Sequence, residues 1–243
     1  LSGPERLHSP AAPPIVGGSS ILPPATRRPS MARFLKSKAA SLGKAPGALV
    51  FIGEHKMDHP VIRVMDYDAE TLVERELETI EQALELQDPQ RVTWVNVYGL
   101  DAMPLMARVA EIFEIHPLLM EDILNTDQRP TFVDHGDYLF VVVKMLRFGE
   151  DQSHIIAEQL SLVVGRDWVL TFQERMGDVF APVRERIRKS QGRIRTAGPD
   201  YLAYALLDTV VDNYINIIER LGERIEDMDE EVLEPEEGSD LLE

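Results

Sequence analysis

The sequence contains no cysteine, and this absence excludes several kinds of chemistry. Disulfide bonds, zinc–thiolate sites and thiol nucleophiles all need a cysteine side chain. Basic residues are also few, because 25 Lys and Arg stand against 42 Asp and Glu, for a formal net charge of −17. Nucleic acids bind to basic surfaces, so we predict no nucleic-acid partner. A negative field of this size attracts cations instead.

Long apolar runs and the common catalytic motifs are missing as well. No stretch reaches the roughly 18 apolar residues that a membrane-spanning helix needs, so we predict no such helix within the sequence. The motifs G-x-x-x-x-G-K-[ST], G-x-G-x-x-G, H-E-x-x-H and G-x-S-x-G do not occur. His55 and His59 are four residues apart, but Gly53 and Pro60 indicate a loop there rather than a helix. We therefore predict that the protein is not an enzyme.

What is present divides the sequence into three parts. Residues 1–46 are rich in proline and then in basic residues, a composition that predicts a disordered leader. Residues 47–198 alternate β-rich and helix-periodic segments, which indicates an α/β domain. Residues 199–243 indicate one long helix, opened by Pro199 and ended by Pro235, and then a turn into a further helix. This further helix would begin just before the last residue of the sequence, which suggests that the sequence is a fragment of a longer chain.

Apolar patterns predict the elements of the α/β domain. Runs rich in β-branched and aromatic residues predict strands at 48–52, 61–66, 71–77, 92–97, 138–148, 155–164 and 168–172, with 71–77 at a sheet edge. Helical spacing predicts helices at 78–86, 101–115, 117–124 and 179–190, the second of them capped by Asp101. The order of strands, helices and strands again favours an α/β fold with a mixed β-sheet sandwiched by helices (α/β/α), followed by the long helix.

The most informative stretch is 115–130, I-H-P-L-L-M-E-D-I-L-N-T-D-Q-R-P. Pro117 suits the first position of a short helix. Glu121 and Asp122 then lie in its last turn, where the partial negative charge of the helix terminus disfavours each carboxylate by roughly 0.3–1 kcal/mol. Acids in this unfavourable place indicate a bound cation or a cationic partner. Solvation, or pairing with Arg129, explains them equally well.

Other acids offer further oxygen ligands. Carboxylates favour hard cations such as Mg²⁺ over the softer transition metals. Besides the two acids of the short helix, the candidates are Asp134 with Asp137 and Asp208 with Asp212. Asp208 lies among apolar residues of the long helix, where a carboxylate needs a partner or lies at the edge of an interface. The alternative interpretation is that Asp208 lies on the exposed face of an amphipathic helix and has no metal-binding role.

Apolar residues recur along the predicted long helix at spacings of three and four. They are Leu206, Val210, Tyr214, Ile217, Leu221, Ile225, Met228 and Val232. Such a sustained pattern fits a helix that pairs with another helix along its length. The outer face of this helix becomes strongly acidic towards its end.

Six motifs follow one another along the sequence. They are V-T-W-V-N-V-Y-G-L at 92–100, I-H-P-L-L-M-E-D-I-L-N at 115–125, Q-R-P at 128–130, D-Y-L-F-V-V-V-K-M at 137–145, G-D-V-F-A-P-V-R-E-R-I-R at 177–188 and L-L-D-T-V-V-D-N-Y at 206–214. Together, in this order, they resemble the CorA family of divalent-cation transporters. The resemblance implies a cytosolic α/β/α domain, then a long stalk helix and two membrane helices. The family's Gly-Met-Asn pore signature does not occur here, so we expect the sequence to be the soluble cytosolic part.

The resemblance also implies a function and a site. Family members form homopentameric channels that carry Mg²⁺ or Co²⁺, or Zn²⁺ in the ZntB branch. This domain would lie at the cytoplasmic face of the inner membrane, attached to it through helices beyond Glu243, and it would sense Mg²⁺. Glu121, Asp122 and Asp208 match the acids of the family's regulatory metal site, where an ion between neighbouring subunits favours the closed state. The resemblance implies that their partner carboxylate comes from the stalk helix of an adjacent subunit, beyond Glu243. The preference among Mg²⁺, Co²⁺ and Zn²⁺ stays open.

Two other functions are compatible with the same residues. A soluble metal-dependent enzyme could use Glu121, Asp122 and Asp134, although no nucleophile–base pair is visible beside them. A coiled-coil interaction module could be built on residues 200–233.

Overall fold

The computed structural model describes residues 43, 45–149 and 151–233. Within them, seven strands form one sheet: β1 (Val61–Tyr67), β2 (Leu72–Leu77), β3 (Val92–Tyr98), β4 (Thr131–Asp134), β5 (Leu139–Phe148), β6 (Ile155–Val164) and β7 (Trp168–Gln173). The same residues contain the helices α1 (Glu81–Leu84), α2 (Met103–Ile112), α3 (Pro117–Leu124), α4 (Ala181–Arg188) and α5 (Pro199–Leu233). The strand order is β2-β1-β3-β7-β6-β5-β4. Only β3 and β7 pair in parallel among these neighbours, so the sheet is mixed, as predicted.

Helices cover both faces of the sheet because apolar side chains alternate along its strands. In β1, Ile62 and Val64 belong to the core on one face, whereas Met65 and Tyr67 belong to the core on the other. The first core includes residues of α1, α2 and α3, and the second includes residues of α4 and α5. All seven residues of β3 are buried, which is typical of a strand covered on both sides. The predicted α/β/α arrangement is confirmed.

Helix α5 begins at Pro199, as predicted, and is described as far as Leu233, but its apolar residues fall into two groups. The predicted end at Pro235 and the predicted turn and helix after it lie outside the described residues. Leu206, Val210 and Ile217 are buried against the sheet. Met228 is 60% exposed and Val232 is 83% exposed, so the far part of the predicted stripe contacts nothing comparable in the described chain. The first half of α5 therefore packs on the sheet, whereas the sequence predicted a helical partner along the whole length of α5. No helix in the described ranges is both long and apolar enough to span a membrane.

The predicted strand at 48–52 is wrong. Only Ile52 pairs there, as an isolated parallel bridge to Asn125. The N–H of Ile52 donates to the carbonyl of Leu124 and its own carbonyl accepts from the N–H of Thr126, so the backbone follows the end of α3 instead of joining the sheet.

The predicted cap of α2 is also wrong, and one strand was missed. Ala102 is the N-cap residue and makes no side-chain cap, while the carboxylate of Asp101 contacts Nδ1 of His55. Strand β4 was not predicted because three of its four residues are exposed and leave no buried pattern. The helices predicted at 78–86, 101–115 and 179–190 are present but shorter. The predicted leader, residues 1–46, lies almost entirely outside the described residues, so its boundary stays a prediction.

A half-buried ion pair docks α4 against the sheet. Both Nη atoms of Arg184 donate to the carboxylate of Asp178, over 2.7 and 2.6 Å, and Nη2 also donates to the hydroxyl of Tyr98. The guanidinium lies 5.1 Å from the ring centroid of Trp94. Burial by itself raises the pKa of Asp178, but the hydrogen bonds and charge of Arg184 outweigh it, and the net pKa is lowered.

We predict that Asp178→Asn lowers the free energy of unfolding by about 1–3 kcal/mol near pH 7, because the half-buried guanidinium of Arg184 would lose its counter-charge. The folded pKa of Asp178 lies below its unfolded value of about 3.9. The wild type therefore holds this stability above that unfolded value and loses it as the pH falls through the folded pKa. Urea unfolding between about pH 7 and pH 3 should show the difference between the two proteins shrinking. A difference that stays constant over this range would contradict the assignment.

Candidate metal centre

Helix α3 carries two of the three predicted acids side by side. Pro117 is its first residue, and Nδ1 of His116 accepts a hydrogen bond from the N–H of Leu118 over 3.2 Å. The helix buries its apolar side against the sheet through Leu119, Met120, Ile123 and Leu124. It ends at Leu124 as predicted, which leaves Glu121 and Asp122 half-buried in the last turn.

The carboxylate of Glu121 is held by the chain segment that precedes β1. The N–H of Gly47 donates to Oε2 of Glu121 over 2.9 Å. A cavity of about 280 Å³ lies beside this contact and is lined by Glu121, Leu118 and apolar residues of the same segment. The hydrogen bond fixes one oxygen of the carboxylate with a donor that carries no net charge.

Asp122 is oriented by a short chain of side-chain amides. Nε2 of Gln128 donates to Oδ1 of Asp122 over 3.0 Å, and Oε1 of Gln128 accepts from Nδ2 of Asn125 over 3.4 Å. Nε2 of Gln159 donates to the backbone carbonyl of Asp122, and Oε1 of Gln159 accepts from Nζ of Lys144. Lys144 and Asp122 thus share Gln159 as a hydrogen-bond partner, whereas Arg129 is exposed.

The structure does not bring Asp208 to the other two acids within one chain. Asp208 lies on α5, which packs on the opposite face of the sheet from α3. It is exposed, and the hydroxyl of Tyr204 donates to its Oδ1 over 3.5 Å. Its neighbours Leu206 and Val210 are buried beneath it, so Asp208 occupies the solvent side of an amphipathic helix.

The remaining candidate acids do not complete a ligand set. Asp134 and Asp137 are exposed around the turn after β4, where Oδ1 of Asp134 accepts from the N–H of Gly136. Among the described residues, no three or more His, Cys, Asp or Glu side chains converge as metal ligands. Mg²⁺ commonly takes one or two carboxylates and keeps several waters. The adjacent pair on α3 can therefore supply part of a Mg²⁺ shell, with the rest coming from water or from another chain.

Comparison with known proteins identifies relatives of this chain. The model for the CorA-like Mg²⁺ transporter protein family matches residues 89–243. The cobalt/magnesium transport protein CorA of Thermotoga maritima is 41% identical over 199 residues, which are 82% of this chain and 56% of that protein. This chain thus spans little more than half the length of that relative.

Two solved structures share the fold. The soluble domain of CorA from Methanocaldococcus jannaschii matches with a TM-score of 0.54 at 18% identity, over 70% of this chain and 64% of that one. The complete CorA magnesium transporter of the same organism matches with a TM-score of 0.56, also at 18% identity, over 73% of this chain and 52% of that one. The mixed sheet and its helices are therefore an arrangement already seen in such proteins.

We predict that Gln128→Ala lowers the free energy of unfolding by about 0.5–1.5 kcal/mol, because Asp122 and Asn125 each lose a hydrogen-bond partner. Urea unfolding of the purified chain measures the change. Gln191→Ala is the control, since Gln191 is exposed in a loop, and it should change stability by no more than about 0.5 kcal/mol. Equal effects of the two substitutions would argue against the amide chain.

Proposed function

Because the chain belongs to the CorA family, we propose that it is the cytosolic, Mg²⁺-sensing part of a magnesium and cobalt transporter. Glu121 and Asp122 of one copy would bind a divalent cation together with Asp208 of a neighbouring copy. The bound ion would favour the closed state of a pore formed outside this chain. The complete protein would be a homopentamer, with this domain at the cytoplasmic face of the inner membrane.

The observation that carries the proposal is the pair of adjacent, half-buried carboxylates in the last turn of α3. The backbone N–H of Gly47 donates to Glu121 and the side-chain amide of Gln128 donates to Asp122, so both carboxylates are held in place. The net charge of −17 raises the local concentration of cations. Carboxylate oxygens at a partly exposed position are the ligands that Mg²⁺ accepts most readily in proteins.

The position of Asp208 supports a site shared between copies. Within one chain Asp208 and the α3 acids belong to layers on opposite faces of the sheet, and Asp208 is exposed. A neighbouring copy can present its own Asp208 to the α3 acids, and a cation between them offsets the repulsion of like charges. Such an ion shifts the balance of open and closed states only by its difference in affinity for them. Repetition around a ring would make the response to Mg²⁺ steep.

The ligand chemistry ranks the candidate ions and the competing functions. The three acids suit Mg²⁺ first and Co²⁺ second, while Zn²⁺ sites usually contain histidine or cysteine. A metal-dependent enzyme using Glu121, Asp122 and Asp134 has less support, because no three such side chains converge in the residues that the structure describes. The exposed apolar residues of α5 beyond Ile217 suit helix pairing, which a transporter subunit can use as well as an isolated module.

We predict that Asp122→Ala combined with Asp208→Ala weakens Mg²⁺-dependent closure in the complete gene product. The Mg²⁺ concentration that half-inhibits the ion current should rise about tenfold or more, because ligands on both sides of the shared site are lost. Current recordings across a range of cytoplasmic Mg²⁺ concentrations measure this change.

Asp134→Ala combined with Asp137→Ala is the control, because it removes the same charge from an exposed turn. This control should leave the inhibition unchanged. Equal shifts in both double variants would indicate a general effect of net charge. Unchanged inhibition in the Asp122 and Asp208 variant would reject the proposed site.

A further inference from the structure

Residues 47–52, here called the strap, run beside α3. Their first residue contacts the proposed metal ligand Glu121. The first of them, Gly47, donates its N–H to Oε2 of Glu121 over 2.9 Å. Gly47 has a φ of +78°, a conformation that is unfavourable for residues with a side chain. A Cβ added at this position would stand 2.9 Å from Cβ of Pro117. Glycine therefore permits the close approach that brings this N–H to the carboxylate.

The other end of the strap is attached independently of Glu121. The N–H of Ile52 donates to the carbonyl of Leu124 over 2.9 Å, and the carbonyl of Ile52 accepts from the N–H and hydroxyl of Thr126, both over 3.0 Å. Phe51 packs on the core beneath α3. Loss of the contact at Gly47 would thus free one end of the strap without detaching the whole segment.

We propose that Gly47 is a positioning residue for the metal site, fixing the Glu121 carboxylate in the orientation that binds Mg²⁺. The inference rests on the proposed function, in which Glu121 is a metal ligand. An ionised carboxylate has about four lone-pair sites, so Oε2 can keep the hydrogen bond from Gly47 while the group binds a cation. The neutral donor leaves the negative charge available to that cation. By linkage, Mg²⁺ must hold the strap against α3 as strongly as the strap favours Mg²⁺.

The test compares Gly47→Ala with Gly136→Ala in the complete, oligomeric gene product. Gly136 has a φ of +85°, and an added Cβ there meets nothing within 4 Å, so this control introduces similar backbone strain without a contact. Gly47→Ala should weaken Mg²⁺ binding about twofold to tenfold, the range expected for one hydrogen bond. Gly136→Ala should leave it unchanged. The readout is the Mg²⁺ concentration at which the thermal midpoint rises by half of its full shift.

A double-mutant cycle with Glu121→Gln separates positioning from general stability. If Gly47 acts through Glu121, Gly47→Ala should cause no further loss of Mg²⁺ affinity in the Glu121→Gln protein. An equal loss in both backgrounds, or no loss in the wild-type background, overturns the positioning role while the metal site stands. A Glu121→Gln protein with unchanged Mg²⁺ affinity overturns the metal site and this inference together.

Hydrogen exchange supplies a second measurement that does not need a folded Gly47→Ala variant. Mg²⁺ should slow exchange of the Gly47 amide in the wild type and should have no such effect in the Glu121→Gln protein. Exchange that is independent of Mg²⁺ in the wild type overturns the coupling between the ion and the strap.

Discussion

The parallel pairing of β3 with β7 joins two antiparallel halves of the sheet, and the packing of α3, which carries the candidate site, depends on it. One half is β2-β1-β3 and the other is β7-β6-β5-β4. A parallel pair requires a long connection between its strands, and here that connection contains α2, α3 and the strands β4 to β6. The core beneath α3 takes Val97 from the first half, and Phe140 and Phe172 from the second. Without the joint, α3 would have no continuous surface to pack on.

This packing also determines the environment of the acids on α3. The last carbonyls of a helix lack donors within the helix, and Nε2 of the buried Gln159 donates to those of Asp122 and Ile123, each over 3.4 Å. Nζ of Lys144 donates to the carbonyl of Thr126 just beyond the helix. Strands β5 and β6 therefore supply the donors and the positive charge that a helix C-terminus favours. The cost of placing carboxylates there is partly offset, so the dipole alone does not require a cation.

The sequence predicted the elements whose signals are local. Pro117 and the apolar residues after it marked α3, and the periodicity after Pro199 marked α5 as far as the structure describes it, to Leu233. Strand β4, at the edge of the sheet, was not predicted because its exposed residues resemble those of a loop. The apolar run at 48–52 resembled a strand, but its partner is the end of α3, which no local pattern reveals.

The candidate site was predictable only in part, for the same reason. Acids in an unfavourable turn and the family motifs both pointed to Glu121 and Asp122. The contact between Gly47 and Glu121 joins residues 74 positions apart, so the local sequence around either residue does not predict it. Gln128 lies within the Q-R-P motif, yet its role as a donor to Asp122 depends on how the loop after α3 turns back.

The separation of the acids limits the kind of assembly in which the proposed site can form. The α3 acids and Asp208 lie in layers on different faces of one chain, so a contact that joins them uses two different surfaces. Such a contact is heterologous, and heterologous contacts close into rings or continue as filaments, whereas a twofold dimer would use one surface on both copies. In a closed ring each chain contributes α3 to one neighbour and α5 to the other. Every proposed cation then acts on a separate interface, and loss of the ions would loosen all the interfaces at once.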